Sequence, residues 1–539
     1  MRTRKLLILT FGTLFTMSLF AQQPKLVVGI VVDQMRQDYI TRFWELYGDG
    51  GFKRMVQQGY SFDNAHYEYA PTVTGPGHAH VFSGANPAVH GIIGNEWFDR
   101  KEGKTVYCAE DKTVQTVGSP SNNGQMSPRR MMATTIGDEL RLHSNFQSKV
   151  IGIALKDRGA ILSAGHLANA AYWFDGPTGN FISSTYYLND LPEWVKNFNK
   201  KELPSQYLNQ DWTLLRPSSD YEAVCDVDNS PYEGLFKGEE KPVFPHRVTQ
   251  FRDKYNSDLV RSVPAGNTLS FDFARAAIAG EGLGQGPHTD MLTLSLSTPD
   301  YIGHMYAPRA VEVADQYLRL DRDIASFLIY LDSLIGKDNY LVFLSADHAA
   351  ADNHNYLSDR KYRVGNFKVS ADSLQLFSKK RFRRELVLAF DNLQLYFDHA
   401  ALSAAKLDRE TVSRAFTEYL MNLDGVSRVA TAAQLSAYNA TEPVMQRVQR
   451  GYHPQRSGDL AVILHPGWIE MSWQATGTTH ASPYNYDSRV PLLWYGKGIP
   501  AGHTSQKVAV ADIAPTLAML LKVNLPNAAF GQSLEQWFR

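Results

Sequence analysis

The chain has 539 residues, 44% of them hydrophobic, and a formal net charge of −1, with 54 Lys+Arg against 55 Asp+Glu. That length can bury a large core, and the balanced, interspersed charge excludes an electrostatic footprint for nucleic acid. Any site for an anion must therefore be local, built from a few convergent groups.

The first element is a leader. Arg2, Arg4 and Lys5 precede an apolar stretch from Leu6 to Phe20, and the small residue Ala21 is followed by Gln22-Gln23-Pro24. This is the layout of a secretory signal peptide cleaved after Ala21. Its apolar run is about 15 residues, short of the roughly 20 that a spanning helix needs. The mature chain is expected to be soluble and exported to the periplasm, with no stable membrane insertion. Cys108 and Cys225 are the two cysteines, too few for a disulfide framework or a cysteine-based structural zinc site. An oxidising compartment permits one bridge between them, and the sequence leaves the pairing open.

Four β-like apolar runs follow, at 26–33 (LVVGIVVD), 150–156 (VIGIALK), 292–300 (LTLSLSTPD) and 341–347 (LVFLSAD), and each ends on a charged residue. Helical periodicity follows each of them at a distance, so the fold class is α/β with a mostly parallel sheet covered on both faces. In such sheets ligands bind beyond the carboxyl ends of the strands, which would bring Asp33, Lys156, Asp300 and Asp347 to one place. The clearest helix spans 311–335, where Val313, Tyr317, Leu320, Ile324, Phe327, Leu328, Leu331 and Leu334 share a face and Gly336 supplies the stop. A last strand is expected at 490–495. A closing helix is expected at 511–521, with Asp512 near its start and Pro515 in its first turn.

Two stretches interrupt this order, and both are expected to be cap elements. Residues of about 165–265 are rich in Tyr, Trp, Asn, Pro and Asp without sustained periodicity, which suits an irregular insertion over the active face. Tyr172, Trp173 and Trp194 in it would line the entrance or form cap core. Residues of about 375–455 carry short strands (386–390, 393–397) and a helix (409–423), and read as a compact subdomain. The expected organisation is a signal peptide over 1–21 and one catalytic domain over 22–539 holding both insertions.

The chemistry-bearing residues cluster at the strand ends. Asp300 and His304 stand at i and i+4 in TPDYIGH, and Asp347 and His348 are adjacent after a strand. An oxygen and a nitrogen aimed at one point commonly hold zinc, although each pair standing alone reads rather as a turn with a solvated histidine. In the segment 70–84 (APTVTGPGHAHVFSG), Thr74 precedes Gly75-Pro76-Gly77 and a helix start at 78–82. Its hydroxyl would lie where free backbone N–H groups favour an anion, and a metal or base would make it a nucleophile. The alternative is that Thr72 or Thr74 only caps that helix.

The elements VVDQMR (31–36), PTVTGPGH (71–78), HGIIGNEW (90–97), LKDR (155–158), STPDYIGH (297–304), LSADH (344–348), GTTHASPY (477–484) and DIAPTL (512–517) run through the mature chain in that order. With them the chain resembles the alkaline phosphatase superfamily, specifically the phosphate-insensitive bacterial alkaline phosphatases with a threonine nucleophile, relatives of the nucleotide pyrophosphatase/phosphodiesterases. The resemblance implies a three-layer sandwich with cap insertions and two Zn2+ per chain. One zinc would be held by Asp300, His304 and His480, the second by Asp33, Asp347 and His348 with Thr74. Two such cations work about 3.5–4 Å apart, one on the attacking and one on the leaving oxygen.

The resemblance also implies that Lys156, Arg158 and Asn95 contact the phosphoryl oxygens. A monoester carries one more charged oxygen than a diester, and a lysine beside a planar arginine suits it. One departure stands out. The family usually has Gly after the Asp-His pair, and this chain has Ala349, Ala350 and Ala351, which would be strained if positive φ is needed there. The expected function is thus a monomeric di-zinc alkaline phosphatase that hydrolyses phosphate monoesters through a phosphothreonine. A phosphodiesterase or nucleotide pyrophosphatase on the same site is the nearest rival, and a non-catalytic exported zinc-binding protein is a more distant one. A sulfatase is disfavoured, since sulfatases carry Cys or Ser where Thr74 stands.

Overall fold

The computed structural model describes residues 23–470 and 475–538, so the leader expected over 1–21 lies outside the described residues. The four apolar runs form the strands Leu26–Val32, Val150–Ala154, Asp290–Leu296 and Tyr340–Ser345, every residue of which is buried. Strands covered on both faces read as continuous apolar sequence, because neither side can carry a polar stripe. They lie side by side in a ten-stranded sheet, in the order Tyr340–Ser345, Leu26–Val32, Asp290–Leu296, Val150–Ala154. All three pairings are parallel, with Val32 opposite Leu296, Val31 opposite Ser345 and Ser295 opposite Ala154. Their carboxyl ends are therefore level, and the charged residues that follow emerge along one edge.

Helices Ala265–Glu281 and Val311–Leu334 pack together as one cover, and Thr74–Ser83 packs with Asp157–Ala164 and Ile513–Leu521 in another. Gly29 allows the close approach of Phe82, from that second group, and of Phe343. A Cβ there would lie 2.6 Å from the Phe343 ring and 3.0 Å from Phe82. The expected last strand is Leu493–Gly496, antiparallel to Tyr340–Ser345, and the closing helix is Ile513–Leu521. The fold is α/β around a large, mixed and mostly parallel sheet.

Within 165–265, the strands Ala170–Asp175 and Asn180–Ser184 form a hairpin that extends this sheet. Their composition (AAYWFD, NFISS) has too few aliphatic β-branched residues to register as strand locally. Tyr172 and Trp173 are consequently core, and Trp194 packs on Tyr172 and Phe273 at centroid distances of 5.5 and 5.2 Å, so none of the three lines an entrance. The second stretch holds a four-stranded antiparallel sheet, Val387–Asp391, Gln394–Phe397, Leu460–Leu464 and Val426–Thr431 in spatial order. It has its own core, including Leu395, Phe397, Phe416 and Leu460. This subdomain runs past 455, because Leu460–Leu464 pairs with both of its neighbours. Cys108 and Cys225 are both free thiols. Among the described residues, no helix is long and apolar enough to cross a membrane.

Candidate active site

Asp33 follows its strand directly, and its N–H donates to Leu296 O at 3.1 Å. Gln34 then turns the chain with φ 65, so its own N–H reaches Asp347 Oδ1 at 3.2 Å and its side-chain Nε2 donates to Asp300 Oδ1 at 2.6 Å. Asp300 sits in the first turn of helix Thr298–Tyr306 with His304 one turn later, and His304 Nε2 lies 3.1 Å from Asp300 Oδ1. Asp347 and His348 leave the strand Tyr340–Ser345 on the other side of Asp33. His480 arrives from a distant loop and stacks on His348, with ring centroids 3.5 Å apart.

Each of the three histidines directs Nδ1 at a backbone carbonyl: His304 at Thr478 O (2.8 Å), His348 at Ala349 O (3.0 Å) and His480 at Thr72 O (2.7 Å). A carbonyl can only accept, so Nδ1 is the protonated nitrogen and Nε2 is left as the ligand atom, the orientation that metal-binding histidines usually have. Ligand atoms of Asp300, His304 and His480 lie within 4.8 Å of one another, and so do those of Asp33, Asp300 and His348. Asp347 joins the second group through Oδ2, 3.5 Å from His348 Nε2. Asp300 thus reaches both groups, where the motif pattern had assigned it to one.

The donor set fits bound cations. Asp33 Oδ1, Asp347 Oδ2 and His348 Nε2 are all buried without a hydrogen-bond partner, and the two carboxylate atoms are each 3.5 Å from that nitrogen. Orphaned buried polar atoms cost about 1–3 kcal/mol each, so their convergence on one point calls for a ligand. Three buried carboxylates also face a single buried ammonium. Burial, then Asp300, pushes the Asp33 carboxyl up, and burial, then Asp33, does the same to Asp347. Burial would raise Asp300 as well, but His304, Lys156 and His480 hold it well below the usual carboxylate range. Burial pushes His348 down to about 3, which keeps it neutral and able to coordinate.

Thr74 is the first residue of helix Thr74–Ser83, whose N-cap is Val73 without a side-chain cap. Thr72 Oγ1 donates to Ser482 O at 3.2 Å, so neither threonine caps the helix. The helix leans on Asp347: a Cβ on Gly77 would stand 2.3 Å from Asp347 O. His78 donates from Nδ1 to Thr74 O at 2.8 Å and holds Ser295 Oγ at Nε2, also at 2.8 Å. Asn95 Oδ1 accepts the Gly75 N–H at 2.7 Å, so the donor end of that amide points away from this N–H.

Lys156 is turned inward, with Nζ donating to Asp33 Oδ2 at 2.7 Å and Asp300 Oδ2 at 2.5 Å. Burial alone would push this ammonium down, but Asp300 and Asp33 overcome it and hold it up. Arg158 is bonded to none of these carboxylates and donates to Tyr107 OH at 3.1 Å, while that hydroxyl donates to Asp157 Oδ1. Gln34, Tyr107 and Asp157 are the site residues that motif reasoning did not single out. Gln34 and Asp157 lie inside quoted motifs, which was the available signal; Tyr107 had none.

The strain expected at Ala349 does not arise, since Ala349 is not among the residues with positive φ, and its N–H is bonded to Asp487 O at 2.8 Å. Strained backbone sits instead at Gln34 (φ 65) and at Ala481 (φ 97), straight after His480. Such conformations cost of order 1–3 kcal/mol and persist only where the surroundings fix them, commonly at functional sites.

Residues 27–483 match the family model of type I phosphodiesterases and nucleotide pyrophosphatases. Alkaline phosphatase PhoV of Synechococcus elongatus is 44% identical over 513 residues, 95% of this chain and 92% of its own. A protein of Myroides odoratus named calcium-transporting ATPase is 43% identical over 520 residues, 96% of this chain and 95% of its own. The crystal structure of wild-type alkaline phosphatase PafA matches with a TM-score of 0.92 and 43% identity, covering 95% of this chain and 98% of that one. The chain belongs to the type I phosphodiesterase/nucleotide pyrophosphatase family of the alkaline phosphatase superfamily.

Proposed function

We propose that this protein is an alkaline phosphatase that hydrolyses phosphate monoesters at a di-zinc site through a phosphothreonine. The observation that carries this reading is the convergence of orphaned buried ligand atoms of Asp33, Asp347 and His348, with the helix that Thr74 begins packed on Asp347. Asp300, His304 and His480 would hold one zinc, and Asp33, Asp347 and His348, with Thr74, the other. When bound, such a pair supplies Lewis acidity to the attacking and leaving oxygens.

The chain's own groups do the rest. Thr74 Oγ1 attacks phosphorus from the first residue of its helix, whose positive end favours the transferring anion. Asn95, anchored to Gly75, offers its NH2 group to a phosphoryl oxygen. Lys156 balances Asp33 and Asp300 and extends that positive charge toward the phosphoryl group. Arg158, held by the Tyr107–Asp157 pair, meets the third charged oxygen that distinguishes a monoester. Water then cleaves the phosphothreonine and releases phosphate. The reading includes export through residues 1–21 to the periplasm and action as a monomer. Cell fractionation and light scattering test those two points.

Zinc analysis of the purified protein, with kcat/KM on an aryl phosphate and on the matching diaryl diester, tests the activity. A preference for the diester would replace this reading with a phosphodiesterase, and bound metal without turnover would replace it with a binding protein. Arg158→Ala should depress monoester turnover by about 100-fold or more, the cost of losing one transition-state donor, and diester turnover much less. Equal losses on both substrates would remove the assignment of Arg158 to the extra charge.

A further inference from the structure

Next to the site lies a cavity of about 340 Å3, within the range that holds small organic ligands. Asn95, His304 and His480 form its inner end, and the antiparallel subdomain supplies most of the rest. Leu393, Leu464, Trp468 and Ile469 give it an apolar wall. Its carboxyl groups are those of Glu470 and Asp487, and no lysine or arginine lines it among the described residues.

The position relative to the two ligand groups decides what the cavity meets. Thr74 begins the helix that leans on Asp347, so the group with Asp347 and His348 is on the attacking side. His304 and His480, which line the cavity, belong to the other group. In an in-line displacement one group faces the attacking oxygen and the other the leaving oxygen.

We propose that this cavity receives the leaving group and selects an uncharged, ring-sized organic alcohol over a phosphate chain. The proposal rests on the phosphatase reading and names its substrate class. As the Thr74 Oγ–P bond forms, the hydroxyl proton of Thr74 passes to water, the P–O bond to the alcohol breaks, and the departing oxygen takes a proton back from water. Above about pH 7, the value to which burial lifts both carboxyls, a phosphate chain in the same place would set further negative charge against Glu470 and Asp487, with no lysine or arginine in the wall beyond the inner histidines to offset it. The cavity therefore disfavours the pyrophosphate substrates that part of the family's name describes.

Ethyl phosphate and 2-phenylethyl phosphate test this, because their leaving oxygens are similar in basicity and they differ by one ring. The metal-loaded full chain should show kcat/KM about 10-fold higher for the phenylethyl ester, the scale of burying a ring. Leu393→Trp, which fills the cavity, should cost the phenylethyl ester most of that advantage and leave the ethyl ester within about 2-fold. Leu393→Ala, which only trims the wall, should cause an intermediate, equally selective loss. Equal kcat/KM on the two esters in the unmodified protein, or parallel losses in both variants, would overturn the proposal. If the metal-loaded protein turned over neither ester, the phosphatase reading itself would fall and take the cavity's role with it.

Discussion

Among the described residues, two buried clusters of acid and histidine resolve their charge in opposite ways. Around His246, both ring nitrogens meet carboxylates: Nδ1 meets Glu239 Oε2 at 2.8 Å and Nε2 meets Glu312 Oε1 at 3.1 Å. Burial alone would lower His246, but Glu239 and Glu312 lift it to about 9, so the imidazolium is the cluster's cation. At the sheet edge, His348 and His480 give Nδ1 to carbonyls and burial pushes both down, so they stay neutral, while His304 also gives Nδ1 to a carbonyl but is held up against burial by Asp300. A histidine flanked by carboxylates carries its own positive charge, whereas one oriented by carbonyls asks for a charge from outside. That distinction separates a structural ion pair from a metal site when both are rich in the same residue types.

The largest test of this contrast is Asp300→Ala, which removes the carboxylate shared by both ligand groups. Bound metal should fall, and kcat/KM on an aryl phosphate should drop by about 1,000-fold or more. Retained metal at full stoichiometry would show that the two groups do not share Asp300. Its counterpart is His246→Ala, which strips the cation from Glu239 and Glu312 and should cost about 3–5 kcal/mol of stability with metal content unchanged. Urea unfolding and metal analysis of that variant read the two effects separately.

A smaller effect follows from pH. The folded value of His246 lies above its ordinary value of 6.5, so its stabilisation is complete below 6.5 and is lost as pH rises through about 9. Glu312 acts in the same direction, because burial lifts it to about 7 and charging it near neutrality costs stability. Urea unfolding of the unmodified protein should therefore show a loss on the order of 2 kcal/mol between neutrality and pH 9.5. An unchanged or rising stability over that window would refute the ion-pair account. The smallest expected change is Gln34→Ala, which should lower zinc affinity about 10-fold through loss of the hydrogen bond that orients Asp300, as measured by chelator competition.

The parallel strands were legible in the sequence because burial on both faces leaves an unbroken apolar run, and Val311–Leu334 was legible because one face repeats at helical spacing. Ala170–Asp175 was not, since its aromatic and small residues carry no strand period. At the site, the Asp300–His304 spacing marks one face of a helix, and the Asp347–His348 pair marks a strand end. Gln34 escaped notice as a positioning residue because its role depends on φ 65, a property of the folded turn. Likewise, Asp300 serves both ligand groups only because its strand lies next to that of Asp33, across a gap of more than two hundred residues.

The level strand ends have a consequence for how this molecule tolerates change. Each residue of a strand advances the chain by about 3.3 Å and reverses the side to which the next one points. One residue inserted within Leu26–Val32 would carry Asp33 past its partners or throw it to the opposite side of the sheet. The lengths of the central strands thus act as a catalytic parameter. Substitutions that preserve apolar volume can accumulate there, while single-residue insertions and deletions should be rejected even where the core would accept them.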